Sequence, residues 1–401
     1  MLKKVIVAHN GARDQYEVAK AFNENNLLHK LVTDFHITKN TTTKYFNFTR
    51  SSDIPKSQIC ISKKSAFELL KRKLKLNYSF EKSDIGISNK VINLLKDNKN
   101  VNLFLYSHYA HATFEYINKN HLNIKKYLFQ LHPHPNSIIN ILESEFSRLP
   151  FASNSLKLES EFSLSKHYID NLSSEIHLCN DCFVASTFTK KTLIENGGNP
   201  NKIHIIPYGV NQYKFPIKDF NKNLNQYLTI IFIGSVVQRK GISDLFEAIK
   251  LINSKFVKLI IVGRTFIDYE ILKHYKNIDF DLHIDININK LSSLLQKSDV
   301  LILPSLAEGF GHVILEAMSS GTLVITTENT CGPDIIDDKI DGYIIPIKSP
   351  NSIAEKINEL LINKQLCSEM GILASKKADQ YQWKNFRNKI ISYYNNLSIN
   401  E

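Results

Sequence analysis

The sequence predicts an α/β protein of two Rossmann-like domains, each a parallel sheet wrapped by helices, facing each other across a central cleft. Three observations carry this. Short β-rich runs alternate with helical stretches almost from end to end, the pattern left by repeated strand-helix-strand crossovers. The clearest runs are continuously apolar for four to six residues, as in strands covered by helices on both faces. And 401 residues are too many for one hydrophobic core, at about 150 residues per domain.

In the first domain strands are expected at residues 5–8, 29–34, 103–107, 126–131, 182–185 and 203–206, with helices at 14–23 and 187–195. Residues 36–100 yield no pattern beyond polar loops and a basic stretch at 63–75. Pro207-Tyr-Gly-Val-Asn211 and the Asn- and Lys-rich run to Asn225 then punctuate the chain, as linkers do. Past them the alternation restarts, with strands at 228–233, 257–262, 300–303 and 323–326 and helices at 242–252, 290–296 and 313–319. The expected domains are 1–207 and 208–380. A last helix, at about 381–397 and centred on Trp383 to Tyr394, should pack back on the first domain. Ligands of open α/β sheets bind beyond the carboxyl ends of the strands, so the cleft is the expected active site.

Composition removes several classes. With 43% hydrophobic and 22% charged residues the chain is neither disordered nor fibrous. No apolar run approaches the roughly 20 residues of a membrane span, and the apolar part of Met1-Leu-Lys-Lys-Val-Ile-Val-Ala is too short for a secretory signal. The expectation is a cytoplasmic protein. A net charge of +11 favours an anionic partner such as a nucleotide or an acidic lipid surface. The basic residues are mostly scattered Lys without a reading motif, so nucleic acid is not expected. Five cysteines at irregular spacing are no disulfide framework, and Cys179-x-x-Cys182 lacks the further ligands of a zinc site and the context of a redox motif.

The strongest chemical signal is Pro304-Ser-Leu-Ala-Glu308-Gly-Phe-Gly-His-Val-Ile-Leu-Glu316-Ala-Met-Ser-Ser-Gly321, which follows a strand and opens a helix. Gly309 and Gly311 allow a sharp turn and a close backbone approach, while the free N–H groups of the helix start favour phosphate. Glu308 stands before the helix, where it can accept hydrogen bonds from sugar hydroxyls. Glu316 stands inside it, where it can hold a ribose diol. No G-x-G-x-x-G follows a strand, which disfavours a dinucleotide enzyme.

These residues resemble the retaining nucleotide-sugar glycosyltransferases of family four, which have the GT-B fold. Their E-x7-E pattern is matched by Glu308 and Glu316. Ile231-Phe-Ile-Gly234-Ser235-Val-Val-Gln-Arg239-Lys240-Gly241 is similar to the family's phosphate-binding strand and loop, and Ile260-Ile-Val-Gly263 to its next strand end. Val184-Ala-Ser186, Ile206-Pro-Tyr-Gly-Val210 and Glu328-Asn-Thr-Cys-Gly-Pro-Asp334 also fit. Coverage is near continuous from about Glu175 to Trp383 and thin between Phe35 and Asn100.

The resemblance implies that Arg239 and Lys240 neutralise a diphosphate, although this chain has Ser235 where many members carry Arg. It implies that Glu308 meets the donor sugar, that the amides around Phe310 and Gly311 approach the donor, and that Glu316 binds the ribose. On the acceptor side, Gly11 in His9-Asn-Gly-Ala-Arg13 corresponds to a loop near the diphosphate. His132, in Phe129-Gln-Leu-His132-Pro-His134-Pro135, corresponds to a histidine aimed at the donor sugar, ahead of His108 and His111. No metal and no cofactor is implied; Asp279-Phe-Asp281 spells a metal-binding D-x-D but lies in a weak strand away from the glycine-rich turn.

The expected activity is therefore hexosyl transfer from a nucleotide-diphosphate sugar to an acceptor hydroxyl, with retention, in bacterial surface polysaccharide or other glycoconjugate assembly. A GT-B-like nucleotide-sugar epimerase and a non-catalytic nucleotide-sugar-binding protein are the alternatives. The acceptor is expected to be a glycan or a lipid-linked glycan. Lys63, Lys64, Lys71, Arg72, Lys73 and Lys75, interleaved with Phe67, Leu69, Leu70, Leu74 and Leu76, suggest peripheral contact with an anionic membrane at its inner face.

Overall fold

In the computed structural model, residues 2–38, 50–220, 226–252 and 254–399 are described, apart from the side chains of residues 264, 265, 398 and 399. The end of the expected linker, residues 221–225, and part of the stretch 36–100 fall outside them.

The first half forms a sheet from β1 (Lys4–Ala8), β2 (Leu28–Thr33), β5 (Ile59–Ile61), β6 (Val101–Tyr106), β7 (Lys126–Gln130), β8 (Asp181–Val184) and β9 (Ile203–Ile205). Its order is β5-β2-β1-β6-β7-β8-β9 and every pairing is parallel. Two-residue strands β3 (Ile37–Thr38) and β4 (Ser51–Ser52) pair beside it. The second half forms another parallel sheet, in the order β12-β11-β10-β13-β14-β15. Its strands are β10 (Leu228–Val236), β11 (Val257–Ile267), β12 (Asp281–Ile284), β13 (Val300–Leu303), β14 (Leu323–Thr327) and β15 (Tyr343–Ile345). Each sheet reverses its strand order once, at β1/β6 and at β10/β13, and the loops leaving these strands form the site.

Burial explains why the central strands read as apolar runs. Val5 to Ala8, all six residues of β6 and all of β13 and β14 are buried. The C-terminal helix, Trp383–Ile399, lies on the first half. Tyr394 packs edge-on to Phe22 at 5.2 Å, donates its hydroxyl to the Lys3 carbonyl at 2.5 Å and accepts from Asn102 at 3.0 Å. Arg387 on the same helix pairs with Glu17 and with Glu24.

Two stretches differ from the sequence expectation. The helix expected at 14–23 begins only at Glu17 and runs to Glu24. Before it, Asp14, Gln15 and Tyr16 take the left-handed φ values of 37°, 55° and 64°, which cost L-residues energy unless the surroundings enforce them. Here the Asp14 carboxylate supplies the compensation, accepting from the Val18 N–H at 3.1 Å and the Tyr106 hydroxyl at 2.6 Å. Within 50–100 the structure adds edge strand β5 and the helices Lys63–Lys73 and Phe80–Asp97, each started by a serine cap, Ser62 and Ser79.

Candidate active site

After β10 a single tight turn, Gln238–Lys240, carries the two cations of the proposed phosphate loop. Gly234 and Ser235 lie at the end of β10, and Gly234 is in register with Gly263 of β11. After β13 the chain runs along the cleft to the helix His312–Ser319, whose preceding residue, Gly311, has φ 89°. A side chain there would be strained, so glycine sets the entry to this helix.

The two loops are tied together at Glu308, which is 9% exposed. Its Oε1 accepts from Arg239 Nη1 at 2.9 Å, and its Oε2 pairs with Lys240 Nζ. Arg239 also donates to the Ala307 carbonyl at 3.1 Å and, from Nε, to Glu159 Oε2 at 2.8 Å. Burial alone would push the Glu308 carboxyl up, but Lys240 and Arg239 outweigh it and hold the group at about 2. Burial lowers Lys240, with Glu308 opposing, whereas the carboxylates around Arg239 more than offset its burial and raise it. Within the chain, then, both cations already neutralise carboxylates.

Gly309 has a use the sequence did not suggest. A Cβ there would stand 1.9 Å from the Leu131 carbonyl oxygen, so only glycine lets this loop press against the end of β7 in the other half. The Gly309 carbonyl accepts from Ser186 at 2.8 Å and Thr189 at 3.2 Å. Leu306 and Ala307 pack on Ile138, Leu142, Leu156 and Phe188 of the first half. Phe310 is 3% exposed and its ring packs edge-on against Tyr208 at 5.1 Å, so its side chain is core. Glu316 is partly buried, one turn into the helix.

The facing wall comes from the loops after β1, β6 and β7. Gly11 donates its N–H to Asp34 at 3.0 Å. Arg13 opens into the cleft beside Tyr109. His132 is open to the cleft on one side, its ring edge-on to that of His108 at 6.4 Å. Loss of solvent at the cleft floor, reinforced by the Arg13 and Arg239 guanidiniums, lowers His132 to about 4. It is a neutral imidazole at physiological pH, able both to donate and to accept. His108 is lowered to about 3 by burial and by His132 and Arg13, and its Nδ1 lies 3.3 Å from the Tyr168 hydroxyl. His134 caps the helix Pro135–Arg148, and His111 contacts Ser174 at 2.8 Å.

A cavity of about 540 Å³ lies between the walls, lined by Gly11, Arg13 and His132 on one side and by Arg239 and Gly309 on the other. Glu308 and Lys240 are not among its lining residues; Glu308 is tied to it by its pair with Arg239, and Lys240 by its pair with Glu308. Gly234 and Ser235 of β10, Gly263 within β11, Phe310, and Glu316 in the helix His312–Ser319 are not among the residues lining this cavity. Asp279 and Asp281 are exposed at the outer sheet edge, and among the described residues no group of three or more His, Cys, Asp or Glu is placed to hold a metal. All five cysteines are free thiols. No described helix is long and apolar enough to cross a membrane. Sequence reasoning missed Glu159, which stands in Leu158-Glu159-Ser160-Glu161-Phe162 with no motif around it. It also missed the place of Arg13, although the left-handed turn that follows aims it into the cleft.

Residues 214–377 match the family model described as Glycosyl transferases group 1. The capsular polysaccharide biosynthesis glycosyltransferase CapM of Staphylococcus aureus is 27% identical over 215 residues, covering 49% of this chain and 56% of that protein. The chain spans little more than half the length of the first curated relatives it matches. Among solved structures, sucrose-phosphate synthase from Thermosynechococcus elongatus superposes with a TM-score of 0.70 at 14% identity, over 98% of this chain and 99% of that one. The HepE protein of Anabaena, solved with UDP-glucose, superposes with a TM-score of 0.61 at 13% identity, over 98% of this chain and all of its own. At such identities the likeness is one of fold.

Proposed function

We propose, for a chain whose residues 214–377 match the glycosyl transferases group 1 and whose fold is that of GT-B proteins, that the cleft transfers a hexosyl group from a nucleotide-diphosphate sugar to an acceptor hydroxyl with retention. The observation that carries this reading is the Arg239–Lys240–Glu308 cluster at the strand-order reversal of the second sheet. Two cations on one turn beside a carboxylate suit a sugar diphosphate: the phosphates take the cations and the carboxylate takes sugar hydroxyls.

In this reading Glu316 holds the ribose. Arg239, Lys240 and the N–H groups opening the helix His312–Ser319 stabilise the negative charge that grows on the leaving diphosphate. In this reading their positive charge serves in place of a metal. Neutral His132 hydrogen-bonds a hydroxyl of the donor sugar from the opposite wall. Glu308, on the same reading, hydrogen-bonds the sugar hydroxyls rather than attacking the anomeric carbon. We therefore assign attack to the face from which the leaving group departs: the acceptor oxygen bonds to the anomeric carbon as the bond to phosphate breaks, and the acceptor proton passes to the phosphate oxygen.

The acceptor enters the 540 Å³ cavity on the side of the first half, and a lipid-linked glycan suits the surroundings. On the helix Lys63–Lys73 and the turn after it, Phe67, Leu70 and Leu74 are 58%, 51% and 60% exposed among Lys63, Lys64, Lys71, Arg72 and Lys73. Leu69 and Arg72 of the same helix line the cavity. One element thus faces both the acceptor space and a surface suited to anionic lipid, which supports peripheral contact at the inner face of the cytoplasmic membrane. Sequence likeness to the capsular polysaccharide protein supports surface glycan assembly.

The donor reading is tested by thermal unfolding with a panel of nucleotide sugars, since a ligand bound to the native state raises its apparent stability. At least one should raise the midpoint by several degrees in the wild type and not in Lys240→Ala. No shift with any nucleotide sugar would remove the reading.

A further inference from the structure

Between the helices Pro135–Arg148 and Lys166–Leu178 of the first half, residues 149–165 form a strap of short turns and helices that leaves its own half and docks on the other. Phe151 stacks on His274 with ring centres 3.8 Å apart and planes 5° from parallel. The Ser155 N–H donates to Asp268 at 3.0 Å. Glu159 then reaches Arg239, accepting from Nε at 2.8 Å with only 15% of its side chain exposed. Arg239 thus meets a carboxylate from each half, Glu159 and Glu308. Carboxylate and phosphate are recognised by guanidinium in the same way, through hydrogen bonds to planar or tetrahedral anionic oxygens.

We propose that Glu159 is a stand-in within the chain for a donor phosphate: its carboxylate occupies Arg239 and is displaced when the diphosphate arrives. The inference rests on the donor-site reading above and deepens it. Glu308 belongs to the same half as Arg239 and moves with it, so it can share the cation with a ligand. Glu159 belongs to the opposite wall, and the strap that carries it also lines the acceptor cavity with Leu158, Glu161 and Leu164. Donor arrival therefore frees a segment of the acceptor wall.

The distinctive consequence is one of sign. Replacing a residue that merely supports the site weakens ligand binding, whereas removing a competitor strengthens it. Glu159→Gln keeps the shape and removes the charge, and its affinity for inorganic pyrophosphate and for UDP should rise about tenfold, the equivalent of one charge-assisted hydrogen bond. Glu161→Gln, in the same strap but hydrogen-bonded to Ser160, should change either affinity less than twofold. Calorimetric titration of both ligands into wild type, Glu159→Gln, Glu161→Gln and Arg239→Ala reads this directly. A thermal scan of each ligand-free variant checks that it is folded. Tighter binding by Glu159→Gln alone supports the proposal. Equal or weaker binding by Glu159→Gln, with wild type binding and Arg239→Ala not, overturns it while leaving the donor site standing. If neither wild type nor Glu159→Gln binds pyrophosphate or UDP, the donor reading fails and this inference with it.

Discussion

At the scale of single residues, the two glutamates of the glycine-rich turn should fail differently when changed. Glu316→Gln loses a charge-assisted hydrogen bond to a ribose that does not react, about 1.5 to 3 kcal/mol shared by ground and transition states. The donor KM should rise tenfold or more while turnover at saturation survives. Glu308→Gln alters the contact to the ring where charge develops, and steady-state kinetics should show turnover falling by roughly 100-fold. The sequence alone suggests that free nucleoside diphosphate, lacking the sugar, would barely notice Glu308→Gln. The ion pairs to Arg239 and Lys240 change that expectation: without the Glu308 carboxylate Lys240 is released and Arg239 keeps Glu159 alone, and the diphosphate should bind more tightly. Asp14 gives a second residue-level test. Its carboxyl is 8% exposed, and burial raises it to about 7 against the hydrogen bonds from Tyr106 and Val18. Between the ordinary carboxylate value and about 7 the folded protein keeps a proton that the unfolded chain releases, so this group's contribution to stability falls as pH rises through that window. Asp14→Asn mimics the protonated form. Urea unfolding should show it gaining stability relative to wild type between pH 4 and pH 8.

At the scale of elements, legibility followed burial. Strands β1, β6, β7, β8, β10, β11, β13 and β14 were readable because helices cover both faces and each carries a run of apolar residues. Strands β5 and β15 have three residues each at sheet edges, too short for a period to register. The helices Lys63–Lys73 and Phe80–Asp97 bury only part of their surface, so apolar spacing is sparse, and Ser62 and Ser79 were the available signals. The site divides in the same way. Glu308 and Glu316 announce themselves by a fixed spacing around glycines, whereas Glu159 acts only because a strap carries it across the cleft. For the helix Lys63–Lys73 the test is co-sedimentation with vesicles. Basic residues near an anionic surface contribute on the order of 1 kcal/mol each, weakened by salt. The wild type should pellet with phosphatidylglycerol vesicles at low salt and release at high salt. Replacing Phe67, Leu70 and Leu74 by Ser should abolish pelleting, and binding indifferent to lipid charge and to these changes would end the membrane assignment.

At the scale of the whole molecule, the halves are joined by a buried polar cluster beside the phosphate loop. Arg148 of the first half donates to Asp244 of the second at 2.6 and 3.0 Å and to Glu145 at 2.5 Å. Gln238, adjacent to Arg239, donates to Glu145 at 2.8 Å, and Lys348 lies 3.2 Å from it. Glu145 is fully buried and Asp244 is 2% exposed. Breaking such a buried network by removing one partner costs about 3 to 5 kcal/mol, because the remaining charges stay buried. Arg148 is 31% exposed on its outer side, so Arg148→Met should cost less, about 2 kcal/mol in urea unfolding. The same change should loosen the cleft, seen as a larger radius of gyration in small-angle scattering and a weaker donor affinity. The central claim, sugar transfer with retention from a nucleotide donor held by Arg239 and Lys240, meets its most direct test in proton NMR of a reaction containing an α-linked nucleotide sugar and candidate acceptors. The account predicts nucleoside diphosphate release that depends on acceptor, a new glycosidic anomeric signal with the α coupling of the donor, and loss of both in Lys240→Ala. A β-linked product, an altered free sugar released without acceptor, or no turnover of any donor would contradict it.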